Sequence, residues 1–157
     1  MRRAQAYLSL LFDMARSENI QVRFLRTAAD GEEEWDGLYI CSKEQGCRIA
    51  INERLNLRWQ AWILAHELGH HACRHLVEPG TKTHHEIEEE ADRFMGFAMK
   101  RLGTPLDALV ETYIRLGIDA ESPSHPALEA RMAAIASGYS AETLGEVCPE
   151  IETKGTK

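Results

Sequence analysis

The chain has 157 residues, a formal net charge of −7, 44% hydrophobic residues and 27% charged ones. That length and composition suit one globular domain with one buried core, not a disordered segment. The acidic balance, with a pI of about 5.5, argues against a nucleic-acid partner, because such binders need basic surface to displace counterions from phosphates.

In residues 3–18 the apolar positions Leu8, Leu11, Phe12 and Ala15 recur at helical period, with Asn19 as a stop. Arg2-Arg3 ahead of the apolar run 6–12 imitates a signal peptide. Asp13 and Arg16 interrupt that run and no small-residue cleavage site follows, so an amphipathic first helix is expected. Residues 20–25 alternate as a strand, and Ala29-Asp30-Gly31 signals a turn. Residues 35–41 read as a second strand, bent at Gly37. Lys43 to Gly46 turn the chain into a third strand at 47–51. Three strands in succession predict an antiparallel meander.

The rest reads as helix. One helix is expected over about 57–76, ended by Pro79-Gly80, and one over about 84–101, ended by Gly103. A third starts at Pro105 and runs to about 116. A fourth starts at Pro126 and ends at Gly138. The expected fold class is α+β: a small antiparallel three-stranded sheet packed on a mostly helical domain, residues 1–140. Residues 141–157 are expected to form a polar C-terminal tail. No run approaches the ~18 apolar residues of a membrane span. The four cysteines form no CxxC pair. Cys41 and Cys47 could face each other across a hairpin, but free thiols in a reducing cytosol are the favoured reading, which makes the expected location cytoplasmic.

The most informative stretch is Ala65-His66-Glu67-Leu68-Gly69-His70. Residues four apart on a helix lie about 40° out of line, so His66 and His70 can address one ion. Glu67 lies about 100° round, placed to contact a water at that ion without ligating it. This is the HExxH arrangement of zinc peptidases. Trp59, Trp62, Ile63, Leu64 and Ala65 make the preceding turns apolar, so the histidines sit on a core helix and need partners. His71 and His75 fall about 140° and 180° from His66 and are expected to face elsewhere. Cys73 and Leu76 stand where a metzincin carries Gly and His, which excludes that class.

A catalytic zinc takes three protein ligands and keeps one position open. The third is expected from Glu88-Glu89-Glu90-Ala91-Asp92. Glu88 and Asp92 share a helical face, so Glu88 can ligate while Asp92 accepts the other N–H of a ligand histidine. Ala91 leaves room for a facing helix. Glu86, Glu89 and Glu90 read as a solvated face, with Glu90 the next candidate ligand.

Together these residues resemble the gluzincins, and more narrowly the HtpX-like and CAAX-prenyl-protease family. That family pairs HExxH with a Glu-x-x-Ala-Asp helix, matched here by Glu88 to Asp92, and carries a later His-Pro segment with an Arg six residues after the His. The family segment is Ser-x-His-Pro; here Ser122-Pro123-Ser124-His125-Pro126 differs in having Ser124 directly before His125, while the spacing from His125 to Arg131 matches. The resemblance covers about residues 58–140 and implies a zincin-type domain, with His125 and Arg131 stabilising the oxyanion of a peptide bond under attack. Residues 38–98 also resemble the ImmA/IrrE peptidases, relatives of which often cleave a transcriptional repressor. The transmembrane helices of HtpX-like relatives have no counterpart here.

The expected function is therefore a zinc-dependent endopeptidase acting on a protein or peptide substrate, with Glu67 as general base for a zinc-bound water. Residues 47–51 are the candidate edge strand for pairing with substrate. The alternatives are a repressor-cleaving ImmA/IrrE-type protease and a non-catalytic metal-binding interaction module. A latent form, with Cys148 or Glu150 folded back onto the zinc, is a further possibility.

Overall fold

The computed structural model describes residues 2–26, 35–76, 82–115 and 126–149. The fold class is α+β, as expected, with helices predominating. The chain forms two compact units, Met1–Leu68 and Gly69–Lys157, and the boundary falls inside one continuous helix, α2 (Leu57–Ala72).

The first unit opens with α1 (Arg2–Ser17), which buries Leu8, Leu11 and Ala15 along one stripe. Asn19 ends it in the left-handed region, at φ 57°. The Asn19 N–H bonds to Arg16 O and the Ile20 N–H to Ala15 O, the paired reversal of a Schellman cap. Phe12 then meets Phe24 of the following strand at 5.6 Å between ring centroids.

Three strands follow: β1 (Gln21–Leu25), β2 (Gly37–Ser42) and β3 (Gly46–Asn52). Their order is β1-β3-β2. β2 and β3 form the expected hairpin, reversed at Gly46 with φ 71°. β1 pairs with β3 in parallel, so the sheet is mixed rather than a meander. β3 is therefore the central strand, bonded on both sides, with Ile49 and Ile51 buried. The expectation that residues 47–51 form the free edge is overturned; among the described residues the edges are β1 and β2. Alternation identifies strands but not their neighbours.

The second unit contains the end of α2 with α3 (His84–Arg101), α4 (Leu106–Arg115), α5 (Leu128–Ser140) and the short α6 (Leu144–Val147). A reciprocal capping box, Thr83 with Glu86, starts α3, and Gly103 at φ 76° stops it. α3 and α5 are in backbone contact. A Cβ at Gly138 would collide with the Arg93 carbonyl, and one at Gly96 with the Ile135 carbonyl. Glycine at both crossings is what permits this approach.

Two findings correct the reading of the cysteines and of the chain's end. Cys41 is bonded to Cys47, its direct partner in the β2–β3 register, and Cys73 is bonded to Cys148. The segment read as the start of a polar tail instead carries a second capping box, Thr143 with Glu146. It buries Val147 and Cys148 and accepts a hydrogen bond from Arg93 at the Val147 carbonyl. Cys148, held by Cys73, is not the thiol a latent form would offer to a metal.

Cys73 and Cys148 are 75 residues apart, and a cross-link closing so long a loop stabilises by about 4 kcal/mol in the chain-entropy account. Cys148→Ser is expected to lower the urea-unfolding free energy by roughly 2–4 kcal/mol. Gly138→Ala should cost roughly 1–3 kcal/mol through overpacking, read from the same midpoint shift.

Candidate metal centre

The structure brings His66, His70 and Glu88 together. One nitrogen or oxygen of each lies within 4.8 Å of the others. His66 and His70 hold their relation because one helix carries both. Glu88 arrives on α3, with its Oε1 3.5 Å from His70 Nε2. Two ligands about 2.0–2.1 Å from a tetrahedral ion stand about 3.4 Å apart, so this spacing suits a shared ion better than a hydrogen bond. Two imidazoles and one carboxylate are also the donor set of a catalytic zinc with one open position. His66 is buried, and His70 and Glu88 are mostly so.

Small residues make the crossing possible. Ala91 is fully buried, and a Cβ at Gly69 would stand 2.9 Å from Ala91 Cα and its carbonyl oxygen. α2 and α3 thus touch by backbone one residue before His70 and three after Glu88. A Cβ at Gly69 or a larger side chain at Ala91 would part them.

Glu67 is buried at 7% exposure. Its neighbour is Gly37, at the start of β2, where a Cβ would collide with Ile63 Cγ2 and stand 2.6 Å from Glu67 Oε1. The sequence marks Gly37 as a bend; the structure gives it a different job, clearance for the Glu67 carboxylate.

α2 ends at Ala72, four residues earlier than the periodicity predicts. Arg74 takes φ 59°, with its N–H on His71 O, and the His75 N–H returns to His70 O. This Schellman reversal folds His75 back over the helix end. His75 Nδ1 lies 2.8 Å from His70 Nδ1, and His75 Nε2 lies 2.8 Å from Glu90 Oε2. Lys82 Nζ binds both Glu90 oxygens, at 2.9 and 2.8 Å. Burial pushes the Glu90 carboxyl up, but hydrogen bonds from His75 and Lys82 and the Lys82 charge outweigh it and hold it below the ordinary value. The expectations that His75 faces away and that Glu90 is solvated are both overturned. The angle for His75 assumed a helix that had already ended, and α3 turns Glu90 inward. Cys73, His75 and Glu90 also lie within 4.8 Å of one another, but Cys73 is tied to Cys148 and Glu90 to Lys82.

Asp92 is fully buried, and its two oxygens accept from Arg131 Nε and Nη2 at 2.8 and 3.0 Å. This bidentate pair joins α3 to α5, with Arg131 itself buried. For His70, the nitrogen away from Glu88 goes to His75, not Asp92. His125 lies outside the described residues.

Gly69→Ala is expected to separate α2 from α3 and loosen the His70–Glu88 approach. With overpacking of ~1–3 kcal/mol and 1.4 kcal/mol per tenfold, metal affinity should fall by roughly 5- to 100-fold. Competition against a chromophoric chelator measures it.

A family model describing the IrrE N-terminal-like domain (Peptidase M78) matches residues 15–113. That span contains His66, Glu67, His70, Glu88 and Asp92, and stops short of His125 and Arg131. No curated protein and no solved structure matches the chain. Of the two resemblances read from the sequence, the match supports the ImmA/IrrE one. With well over half its length so matched, the chain belongs to the peptidase family of the IrrE N-terminal-like domain.

Proposed function

We propose that the chain is a zinc-dependent endopeptidase, working as one metallopeptidase domain that extends past residue 140 to take in the packed segment around Cys148. The observation that carries this reading is the three-donor group of His66, His70 and Glu88 with Glu67 beside it. Zinc bound there supplies Lewis acidity, which polarises a carbonyl and makes water acidic. Glu67 is the general base: its carboxylate takes a proton from the attacking water and returns it to the leaving amine. Burial and the Gly37 backbone restrict where that carboxylate can go.

The substrate is a protein segment in extended form, bound along β2. β2 is an edge strand, its Gly37 end adjoins Glu67, and Leu38 and Ile40 are exposed at 45% and 44%. Main-chain pairing there supplies affinity, and the exposed apolar side chains select alternate residues. Family membership makes a transcriptional repressor the substrate class to test first. His125 and Arg131 are proposed to face the developing oxyanion. Arg131 is anchored by Asp92, four residues from Glu88 on α3, which ties it to the helix that carries Glu88. Asp92 is proposed to orient a ligand histidine. Among the described residues no helix is long and apolar enough to cross a membrane. The paired cysteines remove the ground on which a cytoplasmic location was expected.

Wild type is expected to carry about one zinc per chain by mass spectrometry, and Glu88→Ala to lose most of it. Glu67→Gln should retain the metal yet cut kcat by at least ~100-fold, the low end for a positioned general base. Undiminished cleavage by Glu67→Gln with zinc in place would sink the mechanism.

A further inference from the structure

We infer that His75, backed by Glu90 and Lys82, is a positioning residue that fixes the ring tautomer of His70 and so prepares its Nε2 as a metal donor. The inference rests on the zinc reading of the site above.

The argument is donor accounting. Lys82, 2.8–2.9 Å from both oxygens, makes Glu90 a carboxylate, which only accepts. His75 Nε2, 2.8 Å from Glu90 Oε2, must therefore carry the hydrogen. In a neutral imidazole the other nitrogen is then a lone pair, so His75 Nδ1 accepts. Its partner at 2.8 Å, His70 Nδ1, must donate. That leaves the lone pair of His70 on Nε2, the atom 3.5 Å from Glu88 Oε1. With both rings neutral, each link determines the next, and the final atom is the one the metal needs. A free imidazole in water prefers the opposite form, with hydrogen on Nε2, so an unassisted His70 would have to shift its proton before ligating.

The geometry is expensive to build by accident. His75 is reached only through the left-handed Arg74, an uncommon conformation for a residue with a side chain. His75 and Glu90 are buried at 9% and 4% exposure, and buried polar groups persist where each is satisfied. The disulfide at Cys73 holds the same turn two residues before His75. Partners of this kind on a ligand histidine typically change metal affinity by about 10–100-fold.

The test combines one measurement on the intact protein with two variants. In metal-free wild type, long-range 1H–15N correlation should show neutral His70 with its hydrogen on Nδ1; hydrogen on Nε2 overturns the inference. Zinc affinity, measured by chelator competition, should fall about 10–100-fold in His75→Phe, which keeps the ring and removes the acceptor. It should recover in His75→Asn, whose side-chain oxygen sits where Nδ1 did. A purely structural role for His75 would not produce that recovery. Wild-type affinity in His75→Phe, alongside zinc loss in Glu88→Ala, overturns this inference and leaves the metal site standing. If His75→Phe does not fold, the wild-type tautomer decides the matter.

Discussion

The site depends on how closely α2 and α3 approach at Gly69 and Ala91. Dispersion and sterics set that distance, and two side chains of almost no volume make it short. Everything chemical follows from it. At backbone contact, His70 and Glu88 stand at the separation of two ligands on one ion. A single extra methylene at the crossing would push them apart, and long side chains could recover the gap only by leaving favoured rotamers. The most ordinary residues of the stretch thus govern how close His70 and Glu88 come.

Around that contact α3 carries an unusual load of buried charge. Glu90 and Asp92 both point into protein, which is tolerable only with partners. Each has one of fitting geometry: a planar guanidinium gripping Asp92 through two parallel bonds, and an ammonium with an imidazole on Glu90. Charge pairs of this kind add little net stability but punish misalignment, because removing either partner strands the other. They therefore act as registration, holding α3 at one rotation with Glu88 toward His70. The disulfide from Cys73 to Cys148 works by a different route, through the entropy of the unfolded chain.

The HExxH helix, the Glu88 helix and the presence of three strands were all legible in the sequence, since each rests on local periodicity or spacing. The bounds of α3, residues 84–101, agree with the structure. Errors arose where a local rule was carried past its range. Periodicity extends α2 to 76 because nothing in Arg74-His75 announces a left-handed turn, and the wheel angle for His75 fails with it. Gly37 looked like a strand bend because glycine serves bends and close approaches alike. Glu90 looked solvated because one acidic run offers no sign of which carboxylate turns inward.

By itself the sequence determined which residues can reach one another along a helix: His66 with His70, and Glu88 with Asp92. Those relations follow from 3.6 residues per turn and need no tertiary information. The tertiary structure alone decided which distant groups meet. It set β1 beside β3, closed Cys73 on Cys148, put Arg131 on Asp92, and folded His75 back onto His70 and Glu90. These pairings depend on packing between elements, where many partners satisfy the same local pattern. Only the shape and volume of the whole core choose among them.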